Sequence, residues 1–318
     1  MAQYLLKRLG MTVAVVLLVT LFLAGVVHLI PGDPVELLLG PRATDEMIAN
    51  AREEMGLDDP IVVQVASFVW NAAQGDLGRD FATQRPVSML VSNATFHTMS
   101  LAFLSLLLSV GLGIPLGVLA ATKPDSLLDR TTSVISVSFI TMPSYVTGLF
   151  LLLLFPIALG VLPATGAGDP SEPLNYLRHL ILPASALAIT WIGYFARLVR
   201  TSMLEVVGSN YIRVARAYGL RETVVNYRYA LKNAVIPSIA ILGVALGNLL
   251  GGSVFVELIF ARPGLGNLAL NAIDARNFPV LRGSILVIAL LFVVANLLAD
   301  LSYRFIDPRI RVEEKSSV

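Results

Sequence analysis

Apolar residues are gathered into six long runs, roughly 9–30, 98–122, 131–159, 180–200, 235–258 and 282–303. Each is close to the ~20 residues that an α-helix needs to cross a bilayer core. The pattern predicts six transmembrane helices. The run 180–200 is the least apolar, with Arg197 and Arg200 at its end and Pro183 near its start. A proline in a first turn costs little, because the N–H it lacks has no partner there.

The segment between the first two runs is patterned differently. Thr44, Asp45 and Glu46 predict a helix start, Met47, Ile48, Ala51 and Met55 share one face, and Gly56 predicts its end. Asp59-Pro60 opens a second helix with Ile61, Val65, Phe68 and Val69 as its apolar stripe and Gly75 beyond it. Residues 31–97 are therefore expected to form a small helical cap between the first two spans. Its ten acids against four arginines suit either a solvated face or an interaction surface. The expected organisation is an N-terminal tail and first span (1–30), the helical loop (31–97), a transmembrane core (98–303) and a charged tail (304–318).

Composition agrees with a membrane setting. Hydrophobic residues make up 56% of the chain and charged residues 14%, with mean hydropathy +0.76; soluble domains carry about 25% charge. The net charge of +1 provides no bulk field to attract nucleic acid. With no cysteine there is no disulfide, thiolate metal site or cysteine nucleophile. The start, MAQYLLKRLG, resembles a signal peptide in charge, but the apolar run after it continues to Ile30 with no small-residue cleavage site, so a retained helix is expected. Orientation follows from the basic residues. With the N-terminus inside, Lys7, Arg8, Lys123, Arg130, the arginines of 197–228, Lys232 and the C-terminal arginines all fall on the cytoplasmic side. Both termini are expected in the cytoplasm.

One cytoplasmic loop is long, basic and helix-forming: SNYIRVARAYGLRETVVNYRYALKNAVIPS, 209–237. Ser209 or Asn210 is expected to cap a first helix, which continues from Tyr211 to Tyr218 and ends at Gly219. A second helix is expected from about Glu222 towards Pro237. Two short helices at a glycine elbow form a rigid knob suited to docking in a cleft of another protein.

Inside the spans, Gly243, Gly247 and Gly251 recur every four residues, which permits close helix approach. Two readings stay open: plain packing, or a small-residue face bordering a solute path, with Asn248 and Ser253 beside it. Gly113 and Gly117, with Pro115 between them, read as packing. His28 and Glu257 fall near the outer span ends, where water is expected to be close, and Asp300 and Arg304 are spaced for an ion pair near the inner interface, with Asn296 on the same face. No carboxylate lies at mid-span, so proton coupling is not expected. No phosphate-binding GxxxxGK[ST] loop, HExxH or GxSxG motif occurs.

The loop YIRVARAYGL (211–220), followed by ALKNAVIP (230–237), resembles the EAA loop of ABC importer permeases. The chain is more narrowly similar to the first permease subunit of the dipeptide/oligopeptide/nickel importers. PGDP (31–34), GDLG (75–78), FARPGLG (260–266), ARNFP (275–279), NLLADLSY (296–303) and DPR (307–309) occur in the family's order, so the resemblance covers essentially the whole chain. Tyr218, Tyr229 and Asn277 stand where the family often has lysine, histidine and aspartate.

The resemblance implies an all-α polytopic membrane protein with the type I ABC importer permease fold and a helical periplasmic insertion between helices 1 and 2, in a bacterial inner membrane. It implies that Tyr211, Ile212, Arg213, Ala215, Arg216, Ala217, Tyr218, Gly219 and Leu220, within the coupling loop 201–234, seat against a cytoplasmic ATPase. It implies a second homologous permease, two ATPases that hold the ATP and magnesium, and a solute-binding protein on the outer face. This chain would carry no catalytic residue and no cofactor. Family cargoes include dipeptides, longer peptides, glutathione, nickel chelates, haem, and some sugars or opines, and the sequence does not choose among them. An ATP-independent channel or carrier would have no need of the knob. A membrane scaffold would explain the knob but neither the acidic cap nor the glycine-faced fifth span.

Overall fold

The structure, a computed structural model, describes residues 2–29, 44–55 and 59–306. Pro31–Pro34, Gly56 and Asp307–Arg309 lie outside those residues, as do the side chains of His28, Asp300 and Arg304.

The described residues form helices almost throughout. In chain order they are α1 (Ala2–Leu29), α2 (Asp45–Met55), α3 (Ile61–Ala73), α4 (Val87–Thr122), α5 (Leu127–Thr141), α6 (Ser144–Leu152), α7 (Pro173–Val207), α8 (Asn210–Ala217), α9 (Glu222–Val224), α10 (Leu231–Ala234), α11 (Ile236–Ile259), α12 (Leu265–Asp274) and α13 (Phe278–Ile306). Wide π turns follow α6 at Leu153–Ala158 and join α9 to α10 at Val225–Ala230. Helices α4, α7, α11 and α13 are long and apolar enough to cross a membrane, and the bent pair from Leu127 to Ala158 makes a fifth candidate if counted as one span. Helix α1 contributes the apolar stretch Gly10–Gly25.

The two loop helices lie where the apolar stripes place them. Thr44 Oγ1 accepts from Met47 N at 3.3 Å, capping α2. Four other features differ from the hydropathy pattern. Helix α7 starts at Pro173, so Pro183 lies inside the helix and not in its first turn. Helix α4 starts at Val87, eleven residues before the apolar run. Polar Ser88, Ser92, Asn93, Thr95 and His97 hide that start, yet Val87, Val91 and Ala94 give it a buried face. The run 131–159 is not one straight helix, because α5 and the helix after it meet at 104° across Met142-Pro143. A proline lacks the N–H and excludes the α conformation from the residue before it; Met142 is extended, at φ −80° and ψ 120°. Helix α12 lies in what reads as a connector, turned inward on Leu265, Ala269 and Ala272.

The chain divides into two compact units. The first combines residues up to Thr98 with Pro263–Val293. Its core joins Val87, Val91 and Ala94 of α4 to Leu265 and Ala272 of α12 and Val280 of α13, while α3 lies against α1. The start of α13 approaches α4 so closely that a Cβ on Gly283 would come within 2.7 Å of Val87 Cγ1.

The second unit combines Met99–Arg262 with the residues from Val294. Helix α7 is its centre, packed by α5, α6 and α11. Gly113 and Gly117 let α4 meet α7: Cβ atoms there would lie 2.8 Å from Phe195 Cβ and 2.6 Å from Ala196 O. Gly113 and Gly117 therefore serve close packing, as their spacing predicts. Asp129 and Arg200 form a two-pronged ion pair between α5 and α7. Glu257 is not near water as its position suggested. It is fully buried, and the turn after α11 brings Arg262 back to it: Arg262 N donates to the Glu257 backbone O at 2.8 Å. Arg262 is also fully buried; it donates to Tyr176 Oη at 2.6 Å and lies 5.0 Å over that ring.

Candidate functional site

The knob of 209–234 is built as the loop's glycine and amphipathic pattern predict. Helix α8 ends in a Schellman turn: Gly219 N donates to Arg216 O at 2.9 Å and Leu220 N to Ala215 O at 3.4 Å. Gly219 has φ +74°, the left-handed conformation that glycine adopts without penalty. Ser209 does not cap α8 through its side chain; its Oγ donates backwards to Val206 O at 2.5 Å and closes the end of α7 instead.

Each residue of the knob faces one of two ways. Ile212 and Ala215 are buried in a cluster with Val118 and Ala121 of α4, Val199 and Met203 of α7, and Val225, Ala230 and Ala234 after the elbow. Leu220 packs at the edge of that cluster. Tyr211, Arg213, Arg216, Ala217 and Tyr218 are exposed, with Tyr218 at 81% of its full accessibility. Val214, Tyr227 and Tyr229 are exposed too. Tyrosine and arginine are the residues enriched at the energetic centres of protein interfaces. Two clasps fix the knob's shape. Arg216 and Glu222 pair across the elbow, and Asn233 Nδ2 donates to Tyr211 Oη at 2.7 Å, tying α10 to α8.

Helix α11 leaves the knob through Val235 and Ile236. Its five singled-out residues do not share a face. Gly243, Gly247 and Ser253 are buried, and Ser253 Oγ donates to Leu250 O at 2.8 Å. Asn248 and Gly251 are exposed, in line with Val244, Phe255 and Leu258. A Cβ on Gly251 would meet nothing within 4 Å.

Beside Asn248 lies a cavity of about 410 Å³, walled by Thr141–Ser144, Thr190, Trp191 and Gly252. The break between α5 and α6 is thus part of its wall. Thr190 Oγ1 donates to Met142 O at 3.2 Å, so one carbonyl released by the break keeps a partner. Sequence reasoning missed this wall, although Pro143 in the middle of an apolar run was its signal. Among the described residues no group of three or more His, Cys, Asp or Glu is placed to hold a metal ion.

Comparison with known proteins agrees with this architecture. Residues 113–312 match the family model described as binding-protein-dependent transport system inner membrane component, and residues 1–102 match the N-terminal model of the same system. A Brucella abortus (strain 2308) protein, provisionally named a peptide transport system permease, is 40% identical over 314 residues, covering 98% of this chain and 100% of its own. The dipeptide transport system permease protein DppB of Alkalihalophilus pseudofirmus is 35% identical over 332 residues, covering 98% and 100%. The glutathione transport system permease protein GsiC of Salmonella choleraesuis is 36% identical over 311 residues, covering 98% and 99%. Among solved structures, an inward-facing MetNI methionine ABC transporter chain superposes with TM-score 0.57 at 20% identity, covering 69% of this chain and 97% of that one, which is a likeness of fold. Helical architecture, family match and full-length relatives agree: the chain is a non-catalytic membrane permease and belongs to the binding-protein-dependent transport system inner membrane component family of ABC importers.

Proposed function

We propose that this permease forms half of the path by which an ATP-driven importer moves short peptides into a bacterial cell. Six spans with both termini in the cytoplasm fit the distribution of lysine and arginine. The other half of the path is a second, homologous permease. Two ATPase chains supply ATP and magnesium, and a solute-binding protein delivers cargo to the outer face.

The observation that carries this reading is the construction of the knob. Its inner face belongs to the same apolar cluster as the ends of α4 and α7, while its outer face carries exposed tyrosines and arginines. A partner that grips the outer face therefore acts on the spans without slack. For nucleotide to drive transport, the two permease conformations must differ in their contacts with the ATPase. The knob is where such a difference enters. Peptide cargo is favoured by the dipeptide and glutathione permeases that match over the whole chain.

The path itself runs along the exposed face of α11 and the break at Met142-Pro143. Irregular backbone at membrane depth persists only where it is buried in protein or lines a water-filled cavity. That Thr141–Ser144 lines a cavity supports this reading. Co-purification with the ATPases, reconstitution in liposomes, and assays of ATP hydrolysis and dipeptide uptake test the reading. Hydrolysis is expected to rise with liganded binding protein, and uptake to need both. Dipeptide transport by this chain alone would make it a carrier and end the proposal.

A further inference from the structure

In the first unit, α3, the segment Asp76–Arg79 and the first two turns of α13 line a cavity of about 360 Å³. That is the lower end of the range for small-molecule sites, roughly 300–1,000 Å³. Arg282 forms part of its wall. The Nε and NH2 of Arg282 are buried and donate to no acceptor. A buried guanidinium without an anion is costly, and an entering carboxylate would relieve that cost through charge-assisted hydrogen bonds. The other walls are chemically mixed: Phe68 and Phe81 are apolar, Asn71 offers an amide, Asp59 and Asp76 are acids, and Arg79 is a second base.

The cavity is held open by local structure. Asp76 Oδ1 accepts from Gly78 N at 2.9 Å, and Gly78 O accepts from Val87 N at 2.9 Å. Asp80 is spoken for by Thr83 and Asn277, so it does not turn to Arg282. Gly283 seats the first turns of α13 against Val87 and thereby fixes the neighbouring Arg282.

We propose that this cavity is a second solute site, outside the membrane path, which takes the zwitterion of a short peptide: α-carboxylate on Arg282, α-ammonium towards Asp59 or Asp76, a side chain against Phe68 and Phe81. The assignment rests on the importer reading for its peptide and on the cavity for its chemistry. Such a site would retain peptide at the outer face between release from the binding protein and entry to the path.

The test uses the complete importer in lipid nanodiscs without binding protein. Equilibrium dialysis with radiolabelled L-alanyl-L-phenylalanine is expected to show saturable binding. The C-terminal amide and the N-acetyl derivative of the same dipeptide should each compete about tenfold less well, the loss expected for a charged hydrogen bond. Arg282→Gln should weaken binding by a similar factor and Arg282→Lys by less. The analogue series on the wild-type protein decides the matter even if Arg282→Gln fails to fold. Equal competition by the amide overturns the site. So does a result in which Arg282→Gln weakens docking of the binding protein while free dipeptide never binds, because the acceptor is then a protein carboxylate. Normal peptide import with no binding here overturns the site and leaves the importer reading intact; absent peptide import overturns that reading whatever the cavity binds.

Discussion

Arg216 and Glu222 close the elbow of the knob from either side of Gly219. Arg216 donates from Nε to Oε1 at 2.8 Å and from NH2 to Oε2 at 3.2 Å. Both residues are exposed, and exposed pairs contribute about 0–1 kcal/mol to stability. The expected effect of Glu222→Gln is therefore on coupling rather than folding. Membrane abundance should stay within about 20% of wild type, because the energy at stake is so small, while uptake falls. The exchange of both residues, Arg216→Glu with Glu222→Arg, separates two roles. Recovered uptake means the clasp is what matters, whereas continued loss means Arg216 itself touches the ATPase.

The elbow also depends on backbone conformation. A Cβ at Gly219 would meet nothing within 4 Å, so substitution there is limited by φ +74° and not by space. A left-handed residue other than glycine costs about 1–2 kcal/mol, and asparagine bears it best. Proline is worse, because its φ is fixed near −65° and it removes the N–H that bonds Arg216 O. Uptake per inserted permease is expected to fall in the order glycine, asparagine, valine, proline. Normal uptake by both Gly219→Val and Gly219→Pro would show that the elbow's geometry is dispensable.

The same economy of partners governs Asp80, in the turn between α3 and α4. Burial pushes its carboxyl up, but hydrogen bonds from Thr83, Asn277 and the backbone of Ala82 and Thr83 outweigh that and hold it below its ordinary value. A depressed acid stabilises the folded state above its unfolded pKa, ~3.9, and loses that contribution as pH falls through the folded value. The 75–86 turn should therefore be indifferent between pH 5 and 8 and loosen only in acid below about pH 4. Asp80→Asn should cost about 1–3 kcal/mol and abolish that acid limb. Limited proteolysis of the 75–86 turn against pH reads both effects. A turn that loosens near pH 6 would point to another titrating group.

Much of this molecule is legible in sequence because its determinants are local. Gly219 after a short amphipathic stretch marks the elbow, and Thr44 marks the start of α2. Four of the six apolar runs, 98–122, 180–200, 235–258 and 282–303, fall on helices long and apolar enough to cross a membrane. The start of α4 is not legible in hydropathy, since Val87, Val91 and Ala94 find their partners in Leu265, Ala272 and Val280, some 170 to 190 residues away. Nor is the burial of Glu257 and Arg262 legible, since Arg262 finds its partner in Tyr176, 86 residues away. Period four groups Gly243, Gly247 and Gly251 as one motif. But 3.6 residues per turn rotate the row, and the neighbours of α11 decide where exposure begins. Within the candidate site, the knob and the break between α5 and α6 carry their own signals, a glycine and a proline.

That rotation yields the last prediction. Gly247 lies on the buried side of α11 and Gly251 on the open side. A leucine at 247 must enter a packed interior, and overpacking costs about 1–3 kcal/mol. Gly247→Leu should lower abundance and lose all cargoes together. Gly117→Ala should behave in the same way, since its Cβ would lie 2.6 Å from the Ala196 carbonyl oxygen. At Gly251 an added Cβ meets nothing within 4 Å and the position is exposed, so Gly251→Leu should insert normally and still co-purify with its partners. If the open face of α11 borders the path, the added side chain narrows the path beside Asn248 and the wall at Thr141–Ser144. Import of bulky peptides should then fall before that of dialanine. Asn248→Leu, which removes an amide without adding much volume, should reduce uptake without that dependence on size. Uptake measured for a series of peptide lengths, normalised to assembled complex, distinguishes the cases. Should Gly251→Leu destroy assembly while leaving no size-selective loss, the open face of α11 is the seat of the second permease and the path lies elsewhere.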